Sequence, residues 1–196
     1  MMKKFGLIII VLIFANDAFS QSYAGHSRLI NFESGYKLMS NNTGMYHAGS
    51  LGMDYHAPLL YTTYSIRADV GSDYWSIEPF SALGILWMIA AQSTGNFDYY
   101  EPILKLFVVC LAGSSMKFPI RIYYGMFEIS PSYSLLRWTY INNQGYMTGA
   151  LGLSFNYYIN KYLYFNSRGE FNFGYEGLGL GYSINLGLGI QIPIDR

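Results

Sequence analysis

The chain has 196 residues, a formal net charge of zero and only 12% charged residues, against roughly 25% in ordinary soluble domains. It carries 20 Tyr, 13 Phe and 21 Gly but a single cysteine, Cys110. These values exclude an internal disulfide or a cysteine-built zinc site, offer no basic stripe for nucleic acid, and leave too little charge to cover a surface that faces water.

The first residues, MMKKFGLIIIVLIFANDAFSQ, read as a secretory leader. Lys3 and Lys4 precede an apolar run from Phe5 to Phe14, and Ala18 and Ser20 supply small residues before a cut at Gln21. The run falls short of the roughly 20 residues that a spanning helix needs. Residues 1–20 are therefore expected to be removed, leaving one domain over 21–196.

The mature chain is expected to be a succession of strands with period-two alternation. Three span Ser27–Met39, Met45–His56 and Leu59–Val70, separated by NNTG (Asn41 to Gly44) and Ala57-Pro58. Between residues 71 and 116 the alternation stops. FSALGILWMIAA (Phe80 to Ala91) and ILKLFVVCLAG (Ile103 to Gly113) are apolar on all sides, separated by QSTGNFDYYEP. They are expected to form a pair of short helices covering a barrel mouth or resting at the membrane interface. An extra pair of strands is the alternative. Strands resume at Lys117–Ile129 and Tyr133–Ile141, joined at Ser130-Pro131-Ser132, and NNQG (Asn142 to Gly145) follows. Met147–Ile159, the turn INK, Leu163–Tyr175, the hairpin signal Glu176-Gly177 and the stretch GLGLGYSINLGLGI (Gly177 to Ile190) complete the series.

About eight segments of this length, an even number, predict an all-β, antiparallel up-and-down transmembrane barrel of about 8 strands, or 10 if the insertion adds two. The insertion would lie on the extracellular side, with AP, SPS and INK as periplasmic turns.

Alternation alone does not say which face is inside. The bland alternative is a soluble sandwich or lipocalin-like barrel with its apolar face inward. Charges of both signs fall at mid-strand, however: Glu33, Lys37, Asp54, Arg67, Asp69, Arg121, Arg137, Arg168 and Glu170. An arginine facing lipid at the midplane costs about 2–4 kcal/mol, whereas in a narrow lumen these groups can pair. They are expected to form a structural charge network that plugs the lumen rather than the constriction of a pore. A two-residue turn at Glu176-Gly177 would set Glu170 opposite Ser183, Arg168 opposite Asn185, Asn166 opposite Gly187 and Tyr164 opposite Gly189. The glycines would then make room in a crowded interior.

With its leader ending in AFSQ, its alternating segments, tight turns such as INK and aromatic strand ends, the chain resembles the small outer-membrane β-barrel proteins of Gram-negative bacteria, of OmpA/OmpX-type architecture. The resemblance implies a location in the cell outer membrane. It also implies outer-membrane lipid and the outer-membrane assembly machinery as partners, with an envelope or extracellular protein as a further one. The chain departs from that pattern in ending IQIPIDR, where such proteins commonly end the last strand on an aromatic residue.

Catalytic candidates are few. His47 and Ser50 would alternate to opposite faces of a strand, and the His-x-Ser pattern of barrel lipid A deacylases is absent from the sequence. His26 lies near the mature N-terminus. Asp54 and His56 supply two metal ligands, too few for a site, and Asp98 and Glu101 read as a solvated loop. No cofactor, metal or nucleic acid is expected. The main reading is non-enzymatic, with a structural or interaction role. The rivals are a lipid-modifying enzyme of the deacylase or acyltransferase kind, and a small pore.

Overall fold

Period-two alternation becomes a wall of antiparallel strands whose two faces differ sharply in chemistry. The computed structural model describes residues 29–57, 62–93, 101–123, 125–175 and 180–193. The expected leader, His26, the Ala57-Pro58 turn (in part), Asp98 and the Glu176-Gly177 turn lie outside those residues.

Strands β1 (Leu29–Asn41), β2 (Gly44–Ala57) and β3 (Thr62–Val70) form a meander. Strands β7 (Phe127–Ile141), β8 (Gln144–Tyr158), β9 (Leu163–Gly174) and β10 (Leu180–Pro193) form a second. Pairing of β1 with β10 along their whole lengths closes one side. The other side is closed by three short strands in series, β4 (Tyr74–Ile77), β5 (Ser115–Lys117) and β6 (Ile120–Ile122). β4 and β5 bridge β3 to β7, and β6 extends the same line along β7. The result is a closed antiparallel eight-strand barrel in which one wall position is a composite.

The barrel is polar inside and apolar outside. Along β9 and β10 the buried positions include Tyr164, Asn166, Arg168, Glu170, Ser183, Asn185 and Gln191, while Phe165, Tyr182, Ile184, Leu186, Leu188 and Ile190 are exposed. Closure of about eight strands leaves an interior that side chains alone can fill.

Two short helices leave this wall: α1 (Pro79–Ser93) and α2 (Pro102–Ala112). Neither is long and apolar enough to cross a membrane. Glu78 meets Arg67 on β3, its N–H bonding to the Arg67 carbonyl at 3.2 Å. Ser115 meets Ser134 on β7. The chain thus departs and returns at neighbouring points of one wall position. Opposite that cut, β7 carries a bulge between Ser134 and Arg137. The bulge shifts its inward face from Glu128, Ser130, Ser132 and Ser134 to Arg137, Thr139 and Ile141.

Three expectations are corrected here. Ser130-Pro131-Ser132 is not a turn but the middle of β7. Proline lacks a backbone N–H. The Pro131 carbonyl accepts the Phe118 N–H at 2.9 Å, so its missing donor faces the same side, where Pro119 already interrupts the wall between β5 and β6. Around Pro131 the β7–β8 ladder on the other side stays in register. The segment Lys117–Ile129 is accordingly a broken strand and a turn. The helices, finally, neither cap a mouth nor belong to an end loop. Ile85, Met88, Val108 and Ala112 bury themselves against Tyr55 and Tyr64, with Ile30, Met53 and Ile66 packed alongside. Those wall residues alternate with inward-facing Asn31, Asp54, Ser65 and Arg67, so the hairpin lies on the outer surface of β1–β3. Gly84 permits the two helices to cross closely, since a Cβ there would sit 2.2 Å from the Ala112 nitrogen.

Candidate functional site

The inward positions of seven of the wall's strands carry ionisable side chains, and each of those named here has an oppositely charged partner. Glu33 forms an ion pair with Arg67 Nη2 at 2.6 Å and accepts a hydrogen bond from Lys117 Nζ at 3.1 Å. Asp54 receives Lys117 Nζ at 2.5 Å, with Arg67 at 3.8 Å and the Ser65 hydroxyl at 2.7 Å. Farther along the axis, Glu170 is shared by three bases: Lys37 at 3.0 Å, Arg137 at 3.2 Å and Arg168 at 2.6 Å. Lys37 also meets Asp69 at 2.6 Å, and Arg137 meets Glu78 at 2.9 Å. Arg121 stands apart near the end of the barrel where β10 finishes. It pairs with Glu128 at 3.0 Å, is the one member that is partly exposed, and donates to Gln191 at 3.1 Å.

Of the nine residues singled out from the sequence, eight are thus brought into two adjoining clusters and Arg121 into a third. Glu78, Lys117 and Glu128 complete these clusters and were not among the nine. Glu128 shares the inward face with Ser130 and Ser132 once the SPS stretch is recognised as strand. Lys117 and Glu78 lie on the broken wall position, where alternation is too short to show a face. Among the described residues these clusters contain six acids and six bases, equal in number. Removing one member of such a buried pair leaves an uncompensated charge, which is strongly destabilising.

Glycines make these contacts reachable. On one side of Glu33, Gly189 separates it from Tyr164 in the ladder, and on the other Gly52 separates it from Arg67. The Tyr164 hydroxyl crosses Gly189 to donate to Glu33 at 3.1 Å, and a Cβ on Gly189 would lie 2.1 Å from the Tyr164 ring. A Cβ on Gly52 would lie 2.8 Å from an Arg67 guanidinium nitrogen. All four pairings expected for β9 and β10 are observed. Gly187 has a different role from the one expected. Its missing Cβ faces the Ser34 carbonyl at 2.2 Å, so it lets the β1 and β10 backbones approach closely rather than clearing space for Asn166.

Apolar and aromatic side chains gather toward both ends of the interior. Met39, Tyr46, Ala48, Tyr74 and Ile141 cluster at the end that carries the β1–β2 turn. A small hollow beneath them is lined in part by Asn41, Thr139, Thr148 and Asn172. Toward the other end the Tyr158 and Tyr164 rings meet at a tilt of 41° with centroids 5.0 Å apart, and the Arg121 guanidinium lies over Tyr158 at 5.2 Å.

Among the described residues the catalytic and metal candidates are not assembled. His47 is exposed on the outer face beside the Tyr36 hydroxyl, whereas Ser50 is buried inside. His56 contacts the Thr63 hydroxyl at 3.1 Å, and Asp54 is engaged by Lys117 and Ser65. Among the described residues no three His, Cys, Asp or Glu side chains converge on a metal position.

No protein-family model matches the chain, and no curated protein matches its sequence. Solved structures do match its fold. The N-terminal β-barrel domain of Pseudomonas aeruginosa OprF aligns with a TM-score of 0.51 at 11% identity, covering 84% of this chain and 97% of that one. The neisserial surface protein NspA aligns with a TM-score of 0.48 at 8% identity, covering 86% and 97%. Ail of Yersinia pestis, solved with a heparin analogue, aligns with a TM-score of 0.35 at 6% identity, covering 85% and 99%. The architecture is that of the small outer-membrane β-barrels, of OmpA/OmpX type, without likeness in sequence.

Proposed function

We propose that residues 21–196 form an integral outer-membrane barrel, exported by the 1–20 leader, with no enzymatic activity and with an interior closed by ion pairs. Its role is structural or interactive, exercised through its outer surface toward outer-membrane lipid and an envelope or extracellular partner. The observation that supports this most directly is the inversion of the usual core. Arg137, Arg168 and Glu170 are buried and paired at the centre, while Leu51, Ile184, Leu186 and Leu188 are exposed on the wall. Buried charges require partners, and an exposed belt of leucine and isoleucine requires an apolar solvent. Side chains gathered toward both ends, and those that fill the space over glycines, support a closed interior over a conducting one.

Planar-bilayer recording with the refolded protein tests the closed interior. The expected result is no steady conductance, and a stable ohmic channel would overturn it. Analysis of lipid acylation in a strain lacking the protein tests the absence of enzymatic activity, and the expected pattern is unchanged.

A further inference from the structure

The α1–α2 hairpin is unlike a barrel loop. It springs from within the wall, lies against the outer face and is apolar on its free side as well. Leu83, Leu86 and Trp87 on α1, with Ile103, Leu106 and Phe107 on α2, are all exposed. No Asp, Glu, Lys or Arg occurs in α1, and Lys105 alone occurs in α2. Phe32 and Ile190, paired across β1 and β10, are exposed on the same outer face of the wall.

We propose that the hairpin is an intramembrane side element. It lies in the hydrocarbon layer on the half of the barrel nearer the start of β1 and the end of β10, and its free face binds acyl chains. This rests on the outer-membrane reading above. Three further observations carry it. First, backbone groups in hydrocarbon must be satisfied, and several at the deep ends of both helices have partners. Ala82 N–H and the Ser81 hydroxyl donate to the Glu78 carbonyl. At the return, the Tyr133 hydroxyl donates to the Gly113 carbonyl at 2.8 Å and Leu135 N–H to the Ser114 carbonyl at 2.8 Å. Second, the dimensions agree. An α1 of this length spans about 22 Å, more than the roughly 15 Å from midplane to headgroups, so its far end can reach the interface. Third, Lys105 and exposed Glu101 lie at that far end, where a lysine can extend its ammonium toward the headgroups.

The tryptophans allow a direct test. Trp87 reports the hairpin, while Trp75 and Trp138 sit on the outer wall, facing each other's strands in the β4–β7 pairing. The full chain is refolded into phosphatidylcholine vesicles with bromine deep in the acyl chains, with a W75F/W138F variant isolating Trp87 and a W87F variant isolating the wall pair. The proposal expects Trp87 emission to fall about twofold in the brominated lipid and to be unaffected by aqueous iodide, as for a ring inside the hydrocarbon layer. Iodide quenching of Trp87 alone, with the wall pair still quenched by bromine, overturns the hairpin's placement and leaves the barrel reading standing. Iodide quenching of all three overturns both. A nitroxide on the exposed native Cys110 gives a second measurement without altering the tryptophans. Faster relaxation by oxygen than by a water-soluble nickel chelate supports the proposal, and the reverse order overturns it.

Discussion

Tyr164 reaches Glu33 by passing over a residue that has no side chain. The two lie on strands separated by β10, and Gly189 stands between them in the ladder. Substituting Gly189→Ala would force a carbon to within 2.1 Å of a fully buried ring. Overpacking of this kind costs about 1–3 kcal/mol. Urea unfolding in lipid vesicles should show that loss for G189A. In a Tyr164→Ala background the same substitution should cost much less, since the obstructed ring is gone. Equal costs in both backgrounds would show that the ring does not occupy this space.

Glu170 is the most heavily used acid in the interior. Three bases converge on it, two of them with further partners in Asp69 and Glu78, while Arg168 pairs with Glu170 alone among the described residues. Glu170→Ala should therefore destabilise by about 3–5 kcal/mol, the range for breaking one side of a buried pair. The barrel's resistance to heating in detergent, read as a mobility shift on gels, should fall accordingly. Exposed Lys161→Ala should change stability by less than about 0.5 kcal/mol.

The helical hairpin should be removable. Glu78 and Ser115 face Arg137 and Ser134 across the bulge, so residues 79–114 can be replaced by two glycines without asking the wall to stretch. The shortened protein should retain strand circular dichroism and heat-dependent gel mobility. It should be less stable, because Tyr55 and Tyr64 lose the cover of Ile85, Met88 and Val108. A chain that fails to form any barrel would show the hairpin to be needed for closure.

Docking of the two helices depends on Gly84. In Gly84→Val the side chain would meet the α2 backbone at Ala112, 2.2 Å from its nitrogen, an obstruction that no rotamer relieves. The expected outcome is an intact barrel with a loosened hairpin. Limited proteolysis should then cut within residues 79–114 faster than in the native protein, with the β-strand spectrum unchanged.

The period-two pattern made much of this legible. Alternation in β8, β9 and β10 is long and regular enough to assign faces, and one turn then fixed the register that pairs Tyr164 with Gly189. The polarity of the interior was legible from charges at mid-strand, which only a closed lumen can hold cheaply. What could not be read were the interruptions of pattern. Pro131 looks like a turn because its cost depends on which neighbour its nitrogen faces, and that neighbour belongs to a distant segment. The exit point of the helices was hidden because β4, β5 and β6 are each too short to show a period. Glu78 and Lys117 were missed with them.

The bulge in β7 has a consequence for the two solvents that the wall divides. Leu135 and Leu136 are successive and both exposed on the outside, so the strand advances one residue without changing sides. Had the alternation continued from Ser134, Trp138 and Tyr140 would point inward, and Arg137 would be turned to the outer face. The bulge absorbs this one surplus leucine and so keeps the last third of the strand in phase, with Arg137 on the inner side of the wall. Deleting one leucine would match two steps from Ser134 to Arg137 with the two from Ala150 to Thr148, so the bulge would vanish while the five residues that follow keep their sides.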